Sequence, residues 1–122
     1  MNGIKFLLDT NIVIGLLKAN EATTQILDNT ACSLSECAVS QITRMELLSY
    51  PSLKSDEEDN INQFLSVITV LMFDQSIEQA TIKYRRKQGG KLPDAMIAAT
   101  ALNYQLELLT LDKKMSKQVN NY

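Results

Sequence analysis

The sequence predicts an α/β domain: a central parallel β-sheet of four to five strands flanked by helices on both faces. Three observations carry this expectation. Short apolar or β-branched runs alternate with segments of helical periodicity, Gly and Pro punctuate them where helices stop and start, and several strand-like runs end in a polar residue that opens a helix. A chain of 122 residues, 45% hydrophobic and 21% charged, has room for one core and shows no internal break, so residues 1–122 are expected to form one domain.

The elements follow in order. Lys5 to Leu8 reads as a buried strand, and Asp9-Thr10-Asn11 opens a helix through Ile12, Val13, Ile14, Leu16 and Leu17. A second helix is expected over Ala22 to Leu27, capped near Asn20. Cys37 to Ser40 reads as a strand leading into a helix over Ile42 to Ser49, which Pro51 forbids from continuing. Ser55-Asp56-Glu57-Glu58 has capping-box spacing before a helix running to about Leu65. Val67 to Phe73 is expected to be a central strand, and Ser76 to cap a helix over Ile77 to Lys87 that stops at Gly89-Gly90. Pro93 suits the first turn of a helix to Tyr104, Leu106 to Thr110 reads as the last strand, and residues 117–122 as a tail prone to fraying.

Composition excludes several chemistries. With 0 His, neither Ser-His-Asp nor Cys-His catalysis is available, and Cys32 and Cys37 alone cannot complete a zinc site, so both are expected to be reduced thiols in or near the core. A net charge of −2 does not mark an indiscriminate nucleic-acid binder. Its distribution is uneven: Asp56 to Asp59 form an acidic block, and Lys83, Arg85, Arg86, Lys87 and Lys91 a basic one. Solvated helix faces explain both, and Lys83, Arg85 and Arg86 are the candidates for phosphate contact. No signal peptide or membrane-length apolar run is read, which makes the expected location the cytoplasm, away from membranes.

Topology then gathers four acids. In a parallel sheet, residues just after the strands and the starts of the helices that follow share one edge, which takes in Asp9, Asp112 and Glu46. The helix beginning at Pro93 runs antiparallel to the last strand and brings Asp94 to the same rim, where its register with Ile97, Ala98 and Ala101 points it toward the core. Two unit charges about 4 Å apart repel by roughly 4 kcal/mol at an effective dielectric of 20, so converging carboxylates call for protons, basic partners or a cation. Hard oxygen ligands suit Mg²⁺ or Mn²⁺ and phosphodiester hydrolysis. Asn11 and Thr110 are placed to hydrogen-bond ligating carboxylates, or else to cap turns. Taken singly, Asp9 and Asp112 read as turn starts and Asp94 as a helix cap; four together favour a site.

Leu7-Leu8-Asp9-Thr10-Asn11-Ile12 resembles the opening motif of PIN domains. Ile42-Thr43-Arg44-Met45-Glu46-Leu47-Leu48 is similar to their second acidic motif, Pro93-Asp94-Ala95-Met96-Ile97-Ala98-Ala99-Thr100-Ala101 to the third, and Leu108-Leu109-Thr110-Leu111-Asp112 to the fourth. The branch it looks most like is the VapC-like toxins of type II toxin-antitoxin systems. That resemblance implies a PIN fold, Mg²⁺- or Mn²⁺-dependent endoribonuclease activity, catalytic and metal-binding roles for Asp9, Glu46, Asp94 and Asp112, a homodimer, and a small antitoxin partner. Leu111 departs from the pattern, since many relatives carry a polar or basic residue there, and this ranks Asp112 behind the other three as a direct ligand. Haloacid dehalogenase-type phosphatases require a second Asp where this chain has Asn11, and receiver-type domains require paired acids after the first strand. The remaining alternatives are an RNA-processing PIN nuclease that is not a toxin, and a PIN fold that binds RNA or a partner without cutting.

Overall fold

The computed structural model describes residues 3–121. Its strands are β1 (Phe6–Leu8), β2 (Cys37–Ser40), β3 (Thr69–Leu71) and β4 (Glu107–Leu109). They form a four-stranded sheet in the order β3-β2-β1-β4, with every neighbouring pair parallel. The helices are α1 (Thr10–Leu17), α2 (Glu21–Thr30), α3 (Gln41–Leu48), α4 (Ser55–Val67), α5 (Gln75–Gln88), α6 (Leu92–Asn103) and α7 (Lys113–Asn120).

Strand alternation divides the interior into two cores. Leu7, Ala38, Leu71 and Leu108 face one side, where Tyr84 of α5, Ile97, Ala98 and Ala101 of α6 and Met115 and Val119 of α7 cover them. Leu8, Cys37, Val39 and Leu109 face the other, under Ile12 and Val13 of α1, Leu47 of α3 and Ile61 and Phe64 of α4. Strands buried on both faces need continuous apolar runs, which is why Phe6-Leu7-Leu8 and Cys37-Ala38-Val39 lack a polar alternation.

Several boundaries differ from expectation. The Val67 to Phe73 run contributes only Thr69–Leu71, and this is an edge strand rather than a central one: Val67 is 71% and Met72 51% exposed, so apolar composition overstated its burial. The acidic helix is capped one residue earlier than the Ser55-to-Glu58 spacing suggests, with the Lys54 backbone N–H donating to Glu57 Oε1 at 3.1 Å. Asp74, not Ser76, caps α5 by accepting the Ile77 N–H at 2.9 Å, and the Ser76 hydroxyl donates to that carboxylate.

The expected tail is helical through Asn120, held by buried Met115 and Val119. The Asn120 carboxamide bonds both backbone groups of Leu108, accepting the N–H at 2.8 Å and donating to the carbonyl at 2.9 Å, and so closes the free edge of β4. Tyr122 lies outside the described residues. No helix is long and apolar enough to cross a membrane, among the described residues.

Candidate active site

Strand order reverses between β1 and β4, so the loops leaving their carboxyl ends diverge and open a crevice. Asp9 ends β1 there and caps α1, its Oδ1 accepting the Thr10 N–H at 2.7 Å. Its other oxygen, Oδ2, accepts the Thr110 hydroxyl at 2.6 Å, a buried bond linking the ends of the two strands. Asp9 is only 4% exposed. Burial pushes its carboxyl above the ordinary carboxylate range against the pull of the Thr110 and Thr10 hydrogen bonds, and the charges of Asp94 and Glu46 add to the rise.

Glu46 is half-buried on α3, and its Oε1 accepts the Thr10 hydroxyl at 2.8 Å. The same hydroxyl lies 2.9 Å from that of Thr43, which is fully buried. A threonine relay therefore sets the Glu46 carboxylate beside α1. Sequence reasoning gives Thr10 and Thr43 no role in the site; the available signal is the three-residue spacing that puts Thr43 and Glu46 on one side of α3.

Asp94 is exposed, contrary to its expected orientation toward the core. Its register with Ile97, Ala98 and Ala101 holds, but at the start of α6 that stripe meets the open groove, while its neighbour Ala95 is the residue that is buried. Asp112 is also exposed and caps α7, its Oδ1 accepting the Met115 N–H at 3.0 Å while its own N–H donates to Thr110 Oγ1 at 3.0 Å. Both acids act electrostatically on Tyr84, whose phenol burial already pushes its pKa up and whose hydroxyl donates to Gln118 at 2.6 Å.

Asn11 bonds no carboxylate among the described residues. Its Oδ1 accepts the Leu111 N–H at 3.2 Å, tying α1 to the loop before α7.

Asp9, Glu46, Asp94 and Asp112 line one open groove of about 580 Å³, together with Thr10 and Asn11. No Lys or Arg lines it, and none of the four acids forms an ion pair among the described residues. Nor, among those residues, do three acidic or thiol side chains stand close enough to enclose a metal ion as they are arranged. The donor set is nonetheless all hard oxygen, with one fixed, desolvated carboxylate and two solvent-facing ones. That composition fits Mg²⁺ or Mn²⁺, which retain several waters instead of requiring a closed protein cage.

The basic residues of α5 do not line this groove. Lys83 and Arg86 line a second groove whose lining includes Ser76 and Asn103, the latter at the end of α6 opposite Asp94, and Arg85 donates through Nε to the Gly90 carbonyl at 3.1 Å. Cys32 and Cys37 are free thiols, half-buried and buried.

The PIN domain family model matches residues 6–120. The chain belongs to the PIN-domain family, whose VapC toxins are generally nucleases that use a divalent metal. Within that family it is VapC-like. Among solved structures it is similar to a chain of a toxin-antitoxin complex from Klebsiella pneumoniae, with 34% identity, a TM-score of 0.78, and 90% of this chain and 88% of that one covered. A DNA-bound VapBC complex from Salmonella typhimurium matches at 26% identity and TM-score 0.75, covering 95% and 92% of the two chains. VapBC-1 from nontypeable Haemophilus influenzae matches at 25% identity and TM-score 0.75, covering 97% and 94%. No curated protein matches the chain.

Proposed function

We propose that this protein is a metal-dependent endoribonuclease and the toxin of a toxin-antitoxin pair, hydrolysing RNA phosphodiester bonds at the groove formed by Asp9, Glu46, Asp94 and Asp112. The observation that carries the reading is that four carboxylates share one groove that no Lys or Arg lines, and that none of the four is ion-paired among the described residues. Negative charge gathered at a crevice on a topological switch point, with hydrogen bonds but no ion pair to offset it, favours a bound cation.

Asp9, Glu46, Asp94 and Asp112 would hold Mg²⁺ or Mn²⁺, which when bound supplies Lewis acidity toward a phosphate and lowers the pKa of a coordinated water. The chain's own contribution is positioning. Thr110 and the Thr10 N–H fix both oxygens of Asp9, and the Thr10 hydroxyl orients Glu46. Asp94, exposed on the solvent side, is free to adjust to a bound cation, whereas Asp112 is held through Oδ1 by the Met115 N–H and keeps its other oxygen for that role. Lys83, Arg85 and Arg86 are proposed RNA contacts, and unchanged RNA affinity at low salt in the Arg85→Ala, Arg86→Ala double variant would remove the two arginines from that set.

A small antitoxin partner is proposed from the likeness to the toxin-antitoxin complex at 34% identity. A homodimer and a cytoplasmic location complete the reading. The test is cleavage of a mixed RNA pool by purified, antitoxin-free protein with Mg²⁺, Mn²⁺ or EDTA, comparing wild type with Asp94→Asn. Metal-dependent cutting that the variant loses supports the nuclease; folded wild type that binds RNA and never cuts it favours a binding module.

A further inference from the structure

Charge in this chain is segregated along the sequence, and the fold turns that segregation into sidedness. Residues 74–122 carry eight Lys and Arg against five acids, a balance of +3, whereas residues 1–73 carry four against nine, a balance of −5. The basic part comprises α5, α6 and α7, which cover one face of the sheet. The acidic part includes α1 to α4, whose packed residues lie largely over the other face.

All eight cations are exposed, and none forms an ion pair among the described residues. Four are on α5, Lys91 stands immediately before α6, and three are on α7. Gln118 joins the two outer helices by donating to Gln88 at 2.9 Å and accepting from Tyr84 at 2.6 Å. Some of the cations are also neighbours in sequence of the groove's acids. Lys91 is three residues before Asp94, and Lys113 and Lys114 directly follow Asp112.

A substrate for this groove is a polyanion that must deliver one phosphate to four carboxylates. A divalent cation offsets only part of the charge of four carboxylates, so attraction beside them has to supply the rest, and the α1–α4 side, with Asp56 to Asp59 on α4, is the poorer source of it. We propose that single-stranded RNA lies along the α5–α7 face, its flanking phosphates on Lys113, Lys114 and the basic end of α5, and enters the acid groove from that side only. This rests on the nuclease reading for its choice of polyanion, but adds the α7 lysines and the direction of approach.

The test measures affinity of a labelled, mixed-sequence single-stranded RNA for protein carrying Asp94→Asn, in Mg²⁺, across a salt series. Lys113→Glu with Lys114→Glu is compared with Lys18→Glu plus Lys54→Glu, which makes the same change in net charge on the α1–α4 side. Glu in the first turn of α7 suits the helix N-terminus, so the first pair should fold, and circular dichroism checks this. The expected result is an affinity loss of about tenfold or more at low salt for the α7 pair, with the salt slope reduced by about 1.4, while the control pair changes less than about twofold. Equal losses in both pairs would reduce the effect to net charge, and an unchanged α7 pair, or no RNA binding by either parent or variants, would overturn the proposal. RNA binding with the predicted sidedness by a wild-type protein that never cuts would instead sink the nuclease reading and leave the binding face standing.

Discussion

Thr110→Val tests whether the bond between β4 and Asp9 organises the site. Valine keeps the volume and branching of threonine and removes only the hydroxyl, which donates to Asp9 Oδ2 at 2.6 Å in a buried setting. A hydrogen bond to an ionised group contributes about 1.5–3 kcal/mol, so that is the expected loss of stability at neutral pH; the Asp112 N–H, which loses its acceptor, turns to water. For a domain of this size the loss corresponds to a Tm lowered by roughly 5–15 °C.

The effect carries a pH signature. Thr110 holds the Asp9 pKa down against burial, so the variant's carboxyl rises further and the acid limb of any metal-dependent activity moves to higher pH. Below the ordinary Asp value of 3.8, Asp9 is protonated and the bond becomes a neutral one worth about 0.5–1.5 kcal/mol, so wild type and variant draw together. Denaturant titrations of wild type, Thr110→Val and Thr110→Ser across pH check this. Serine keeps the hydroxyl and should keep most of the stability; a valine variant as stable as wild type at neutral pH, or a serine variant equally weakened, would refute the reasoning.

Asp9→Asn should raise stability at neutral pH. The folded state raises the Asp9 pKa, so the stability this group contributes is complete below 3.8 and is lost as pH rises through the folded value. The asparagine variant should therefore have a higher Tm than wild type at pH 7, converge with it in acid, and lose the Mg²⁺-induced thermal shift; a lower Tm at pH 7 would count against a desolvated charge. Gly15→Ala should cost about 1–2 kcal/mol in urea unfolding, because overpacking costs about 1–3 kcal/mol and alanine returns up to about 1 in helix propensity. The added Cβ would stand 1.9 Å from Oγ1 and 2.8 Å from Cβ of Thr23, which is fully buried on α2, so a rotamer change alone does not relieve it and α1 and α2 must move apart. Cys37, whose pKa burial and the neighbouring Cys32 push up to about 12, should resist iodoacetamide at pH 8 until the protein unfolds, and mass spectrometry should find Cys32 modified first.

Much of this architecture was legible because it depends on local or periodic rules. Cys37–Ser40 is bounded as the apolar run and the following helix cap require, and Asn20 and Pro93 stand at the helix starts that their chemistry predicts. Burial on both faces of a parallel sheet leaves a signature of continuous apolar residues, and parallel topology brings strand ends to one edge. Together these were enough to draw Asp9, Glu46, Asp94 and Asp112 toward one groove from positions more than a hundred residues apart at the extremes.

What the sequence could not fix were the choices made between neighbours in space. Val67 to Phe73 has central-strand composition, yet strand order leaves β3 at the edge, since order depends on which helices cover which face. Asp94 obeys its helical register and still faces solvent, because register gives direction around an axis and only the tertiary structure says where the core ends. The partners of Asp9, Glu46 and Asn11 are Thr110, Thr10 and the Leu111 backbone. Two of these pairs join the chain's first strand-helix unit to its last, and the third joins its first helix to α3. Sequence therefore determined the kinds of groups at the rim and the edge they share, while tertiary packing decided their orientation, protonation and hydrogen bonding, because those depend on atoms brought within about 3 Å only by the folded chain.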